Sequence, residues 1–167
     1  MKFLEGIVTG GSPENYERQM DAYRDYLESI RTQLPQGVYD FAIAEWHYNP
    51  DFHWSLHDSW VESVSIVEST IGGDRHRRKL DISVRLLGPY HDGYIELHYA
   101  DVHCYSMNVQ REGGWDPPSQ YRHHGHWLID EVRLSDRGQI IHETEFSTGS
   151  RWIIESKDLT CDWKPFH

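Results

Sequence analysis

Trp127-Leu128-Ile129-Asp130-Glu131-Val132-Arg133-Leu134-Ser135-Asp136-Arg137-Gly138-Gln139-Ile140-Ile141-His142-Glu143-Thr144-Glu145-Phe146 reads as a β-hairpin, and its parity decides the fold. Asp136-Arg137-Gly138 suits a three-residue loop in which Gly138 takes the left-handed position. Ser135 then faces Gln139, Leu134 faces Ile140, Val132 faces His142, Asp130 faces Thr144 and Leu128 faces Phe146. The even-numbered face is apolar apart from Asp130, His142 and Thr144, so it points inward. On that face Asp130 and His142 are diagonal neighbours within reach of each other.

Period-two patterning continues upstream. Leu80, Ile82, Val84 and Leu86 alternate with Asp81, Ser83 and Arg85, as in a strand with one buried and one wet face. Strands are expected at residues 38–46, 60–70, 79–87, 94–109, 127–134, 139–146, 151–156 and 159–163. Gly72-Gly73-Asp74 turns the chain between two of them. One segment has a different period. Ser12-Pro13-Glu14 is a helix start, and Tyr16, Met20, Tyr23, Leu27, Ile30 and Leu34 follow at alternating steps of four and three, which keeps them on one stripe. Pro35-Gln36-Gly37 ends it. No second amphipathic helix is available for a parallel crossover. The expected fold is therefore α+β: a twisted, mostly antiparallel sheet of seven to eight strands with one long N-terminal helix packed on one face. The length, 167 residues, suits a single domain spanning 1–167.

Charge narrows the partners. Lys and Arg number 16 against 27 Asp and Glu, a net charge of -11 with His neutral. Such a surface repels phosphate backbones and anionic membranes, so neither nucleic acid nor membrane is expected as partner. A basic protein would be attracted and steered. Seven Trp and ten Tyr suit large rings in a core, and the same residues carry much of the energy at interfaces. Nothing approaches the 18 apolar residues of a membrane span, and Glu5-Gly6 interrupts the N-terminal apolar run before it resembles a signal peptide. Cys104 and Cys161, without a CxxC, suit a reducing cytoplasm. With 12 His, net charge should move steeply near pH 6, so a pH-responsive protein is a third reading.

Several constellations could carry chemistry. Asp130 beside His142 could orient a general base or a metal-bound His, although a self-satisfying buried pair is the commoner arrangement. His57 and Asp58 stand at a strand entrance, where a turn with Asp58 bonding local amides is the plainer account. Asp101 and His103 share a face by parity. His123-His124-Gly125-His126 is the densest metal candidate, and equally an exposed loop with adventitious affinity for nickel or zinc. Trp115 lies in the Gly- and Pro-rich stretch 111–126, long enough to suggest a functional or mobile loop. No cofactor is expected apart from a divalent metal at His123, His124 and His126. GxSxG, P-loop, GxGxxG and HExxH signatures are missing, which favours binding over catalysis.

Three stretches carry a resemblance: Leu56-His57-Asp58-Ser59-Trp60-Val61-Glu62-Ser63-Val64; Ile95-Glu96-Leu97-His98-Tyr99-Ala100-Asp101-Val102; and Asp130-Glu131-Val132 with His142-Glu143-Thr144-Glu145-Phe146-Ser147-Thr148-Gly149. Together they resemble small β-rich bacterial proteins of the "LHD" type, some of which look like immunity proteins accompanying secreted toxins. The resemblance covers about half of the chain and brings no catalytic residues. With the net charge, the aromatic load and the missing catalytic motifs, the expectation is a non-catalytic binding protein, cytoplasmic, a monomer or small homo-oligomer, whose partner is a basic protein captured as an immunity protein captures its toxin. His57, Asp58, Asp101, His103, Trp115, Asp130 and His142 are the candidate binding residues. The rival expectation is a metal- or small-ligand-binding enzyme with a His-carboxylate site, in which Asp130, His142, His57 or His103 would converge in one pocket.

Overall fold

A computed structural model describes residues 1–4, 12–110 and 123–167. The chain enters helix α1 (Pro13–Ile30), passes a 3-10 turn (Arg31–Gln33), and forms a short helix α2 (Gln36–Ala42) and a second 3-10 turn (Glu45–Tyr48). Six strands follow: β1 (Trp60–Ile71), β2 (Asp74–Leu87), β3 (Gly93–Met107), β4 (Trp127–Leu134), β5 (Ile140–Phe146) and β6 (Arg151–Pro165). They make one sheet in the order β1-β2-β3-β6-β5-β4, and every neighbouring pair is antiparallel.

The architecture is α+β, with fewer strands than the patterning suggests. Residues 38–46 are helical rather than extended. Their aromatic and β-branched content favours a strand, but Val38, Tyr39 and Phe41 bury themselves by winding into α2, which packs against β6. Tertiary burial overrides propensity in so short an apolar run. The two terminal strands merge into one long β6, which pairs with β3 along its length and with β5 through its first half.

The start of α1 is as its residues require. The Ser12 hydroxyl accepts the Asn15 amide at 3.3 Å, and Pro13 opens the first turn. Tyr23, Leu27 and Ile30 are buried, whereas Tyr16 at the N-terminal end of the stripe is 40% exposed. The helix is not laid across a sheet face as expected. It lies along the free edge of β4, where three tyrosine hydroxyls occupy the hydrogen-bonding positions of a missing strand. Tyr48 accepts the amide of Asp130 at 3.2 Å and donates to its carbonyl at 2.8 Å. Tyr23, on α1, accepts the amide of Val132 at 2.6 Å and donates to its carbonyl at 3.4 Å. Tyr26 accepts the amide of Leu134 at 3.0 Å. An edge whose backbone groups are filled in this way cannot template pairing with another chain.

The β4–β5 register agrees with the parity argument at its loop end: Leu134 pairs with Ile140, Val132 with His142 and Asp130 with Thr144. Gly138 takes φ 73°, and the Ser135 amide donates to the Gln139 carbonyl at 2.9 Å. At the other end a register shift between Trp127 and Ile129 sets Trp127, not Leu128, opposite Phe146. That shift drives the Trp127 ring into the core, where it packs edge-on to Phe146 at 5.5 Å.

Candidate functional site

The inward face of the β4–β5 hairpin carries a buried polar chain built around Asp130. Asp130 is 2% exposed, and His142, Trp127 and His47 aim donors at its carboxylate. His142 Nε2 lies 3.0 Å from Oδ2, and Trp127 Nε1 donates to Oδ1 at 3.0 Å. Tyr48 Oη is 3.4 Å from Oδ1, and His47 Nδ1 is 3.4 Å from Oδ2. Burial by itself would raise the Asp130 pKa. The charge of His47 and the hydrogen bonds from His142 and His47 outweigh it, and hold the carboxyl well below the usual carboxylate range.

His142 continues the chain on its far side. Its Nδ1 is 2.8 Å from the hydroxyl of Tyr99, which is buried on β3. Where the Tyr99 hydroxyl donates to Nδ1, the Nε2 hydrogen of His142 points at Asp130. Burial holds the Tyr99 pKa well above its ordinary value, and the Asp130 charge adds to this. Tyr99, His142 and Asp130 form a chain of satisfied buried groups, in a setting where half-satisfied polar groups would be costly.

His47 is the member of this polar cluster that patterning misses. It follows α2 in the 3-10 turn Glu45–Tyr48, is 3% exposed, and packs its ring 4.5 Å from that of Phe41. Its Nδ1 faces Asp130, while its Nε2 has no hydrogen-bond partner among the described residues. His47 and Asp130 stand in the wall of a cleft of about 260 Å³ between α1 and residues 42–49. Tyr16, Arg24, Ile43 and Glu45 at its mouth are exposed; Tyr23 and Leu27 are buried.

On the opposite face of the hairpin two more carboxylates are buried. Glu131 accepts the amides of Lys2, Phe3 and Leu4 at 2.6, 3.0 and 3.2 Å, and Arg133 Nε lies 2.7 Å from it. Glu143 takes the Met1 ammonium at 2.5 Å and a guanidinium nitrogen of Arg133. This odd-numbered face, which alternation leaves to solvent, is thus a clamp for residues 1–4.

The other candidate residues are dispersed. His57 Nδ1 lies 2.9 Å from the Leu128 carbonyl, and Nε2 lies 3.8 Å from Asp58. Asp58 takes a left-handed φ of 65° and donates its amide to the Trp127 carbonyl, so the pair shapes the entry to β1. Asp101 sits at φ 53° with its amide on Asp81, and His103 contacts Arg137 beyond the hairpin loop. Neither His57 nor His103 joins Asp130 in its cleft: His57 stands beside the start of β4 with Nδ1 on a backbone carbonyl, and His103 lies by the hairpin loop. His123 is exposed, His124 packs its ring 4.7 Å from Trp152, and His126 lies 3.3 Å from the Asp58 carbonyl. All three border one cleft with Trp60 and Val61, but no group of three or more His, Cys, Asp or Glu is placed to hold a metal ion among the described residues. Trp115 lies outside the described residues. No helix among the described residues is long and apolar enough to cross a membrane.

No protein-family model, curated protein or solved structure matches the chain.

Proposed function

We propose that the chain is a non-catalytic binding protein of the immunity type, which captures a basic protein partner in the cytoplasm on the outer face of α1. The observation that carries this reading is a stripe of five carboxylates. Glu14, Glu17, Asp21, Asp25 and Glu28 are all exposed and recur at steps of three and four. At 3.6 residues per turn they fall within an arc of about 80°, opposite the buried stripe. Like charges at such spacing destabilise a helix. Among the described residues, local relief comes from Arg24 on Asp21 at 3.3 Å, and from Arg31 and the Tyr39 hydroxyl on Glu28. A self-repelling stripe on an otherwise well-formed helix is the kind of local conflict that function retains. Complementary charge would give such a face fast association with a basic partner. The net charge of -11 and the resemblance to immunity-type proteins point the same way. So does the way Asp130 and His142 spend their polar atoms on each other and on buried neighbours. Both cysteines are free, as the reducing cytoplasm allows.

The test compares two variants of equal charge. One carries Glu17→Lys, Asp21→Lys and Asp25→Lys; the other carries Asp51→Lys, Asp136→Lys and Asp162→Lys at exposed positions elsewhere. Each is used to capture partners from a lysate of the cells that make the protein, at low salt. The expected result is one basic protein retained near stoichiometry by the wild type and the second variant, and lost by the first. Equal capture by all three proteins, or equal loss from both variants, contradicts the proposal.

A further inference from the structure

We propose that the chain forms a symmetric dimer in which the outer edge of β1 pairs antiparallel with β1 of a second copy, about a two-fold axis at Ile66, so that two sheets become one. The inference does not rest on partner capture by the outer face of α1.

The two edges of the sheet are built differently. Tyrosine hydroxyls fill the backbone positions of β4. β1 meets other backbone on its outer side only where it starts: Trp60 bridges His126, and the Trp127 amide donates to the Ser59 carbonyl at 2.8 Å. Along the rest of β1 no strand pairs with that edge among the described residues. An open edge is a template for another strand, and natural sheets guard one with lysine, proline or a bulge. β1 carries no Lys, Arg or Pro. Its irregularities lie at its two ends, between Val61 and Ser63 and between Thr70 and Ile71, and residues 63–69 pair regularly with β2. On this regular stretch Val64, Ile66 and Val67 are 36, 44 and 52% exposed. A facing strand would cover them.

Charge decides where two copies can meet. A net charge of -11 sets copies of the chain against each other over most of their surface. β1 and β2 are the exception, with five of the 16 Lys and Arg and only four of the 27 Asp and Glu. Two copies approaching at this edge avoid the repulsion.

The strand's own sequence selects the register. In a two-fold antiparallel pair the axis passes between two copies of one residue, and facing residues share a sheet face. An axis at Ser65 would set Glu62 against the second copy's Glu68 on both sides, and like charges directly opposite are destabilising. Ile66 is the midpoint of residues 63–69, so an axis there uses the whole regular stretch. It sets Ile66 against itself, Ser65 against Val67 and Ser63 against Ser69, and opposes no like charges.

Sedimentation velocity of the full chain over a concentration series is the test. The expected result is a reversible monomer–dimer equilibrium in the wild type. Ile66→Lys should raise the dissociation constant at least about tenfold, because two lysines would face each other across the axis. Ile43→Lys, of equal charge and at an exposed apolar position at the end of α2, should leave it unchanged. Cysteine variants in a Cys104→Ser background test the register and do not depend on the lysine variants. Facing Cβ atoms lie about 4.5–5.5 Å apart, so Ile66→Cys should form a disulfide-linked dimer under mild oxidation. Val64→Cys would stand about 13 Å along the strand from its own copy and should link at least about tenfold more slowly. The proposal is overturned by a wild type that stays monomeric at every concentration. A dimer that survives Ile66→Lys, equal dissociation by Ile43→Lys, or equal linking of the two cysteine variants overturns it as well.

Discussion

Asp130 Oδ2 and His142 Nε2 meet at 3.0 Å across the β4–β5 hairpin, each side chain 1–2% exposed. This contact is the hub of the interior, since it joins Tyr99 on β3 to His47 beyond α2 through one carboxylate. Removing the carboxylate strands donors from three other side chains. Asp130→Ala should therefore destabilise the fold by about 3–5 kcal/mol, the range for breaking a buried ion pair from one side. Denaturant unfolding measures it, and a loss below about 1 kcal/mol would mean that water replaces the carboxylate.

Acid should unfold the protein through the same group. The folded pKa of Asp130 is depressed, because His47 and His142 outweigh burial. Burial would likewise raise the pKa of Glu143, but the Met1 ammonium and Arg133 bring it below its usual value. With folded values under the unfolded ones, the unfolded chain binds more protons in acid. Stability is fully present above the unfolded carboxylate range and falls as pH drops below about 4. Unfolding midpoints at pH 6, 4 and 3 should decline in that order, and Asp130→Asn should flatten the decline.

The tyrosine-filled edge makes a local prediction. Tyr23→Phe leaves the Val132 amide without an acceptor in a buried site, at a cost of about 1–3 kcal/mol. Tyr26→Phe should cost less, because Tyr26 is only half-buried and serves a single amide. Native-state hydrogen exchange gives the signature: in Tyr23→Phe the Val132 amide loses protection more than its β5 neighbours. Uniform loss across β4 and β5 would instead mark a global effect.

The acidic stripe predicts a trade between stability and capture. Asp25→Lys removes like-charge contacts with Asp21 and Glu28 and sets a lysine four residues after Asp21. It should stabilise the helix by about 0.2–0.5 kcal/mol. The same substitution should weaken partner capture. Calorimetric melting and capture from lysate, done side by side, check both signs.

What could be read from the sequence, and what could not, follows from the range of the forces involved. The register at residues 130–144 was legible because turn chemistry at Gly138 and strict alternation are local, and together they place Asp130 beside His142. The shift at Trp127 was not, since no glycine or proline marks it. Residues 38–46 pattern as a strand because a short aromatic run has no decisive period, and only packing against β6 winds it into α2. His47 was invisible as a partner of Asp130, because the two are joined by tertiary folding alone and no spacing rule connects them. The seating of α1 was hidden for a related reason. Its stripe shows which side is buried, but not that Tyr23 and Tyr26 reach the backbone of an edge strand. Glu131 and Glu143 patterned as wet residues, and they are buried because residues 1–4 cover them.

The partner-binding proposal takes the polar chain around Asp130 as structural rather than catalytic, and so requires an ionised Asp130 whose oxygens are engaged by His142, Trp127 and His47. Its side-chain carboxyl carbon can be followed directly by NMR between pH 7 and pH 3 while the protein remains folded. The account predicts a resonance that stays at the carboxylate position throughout. A carboxyl that takes up a proton at or above pH 4 would contradict it.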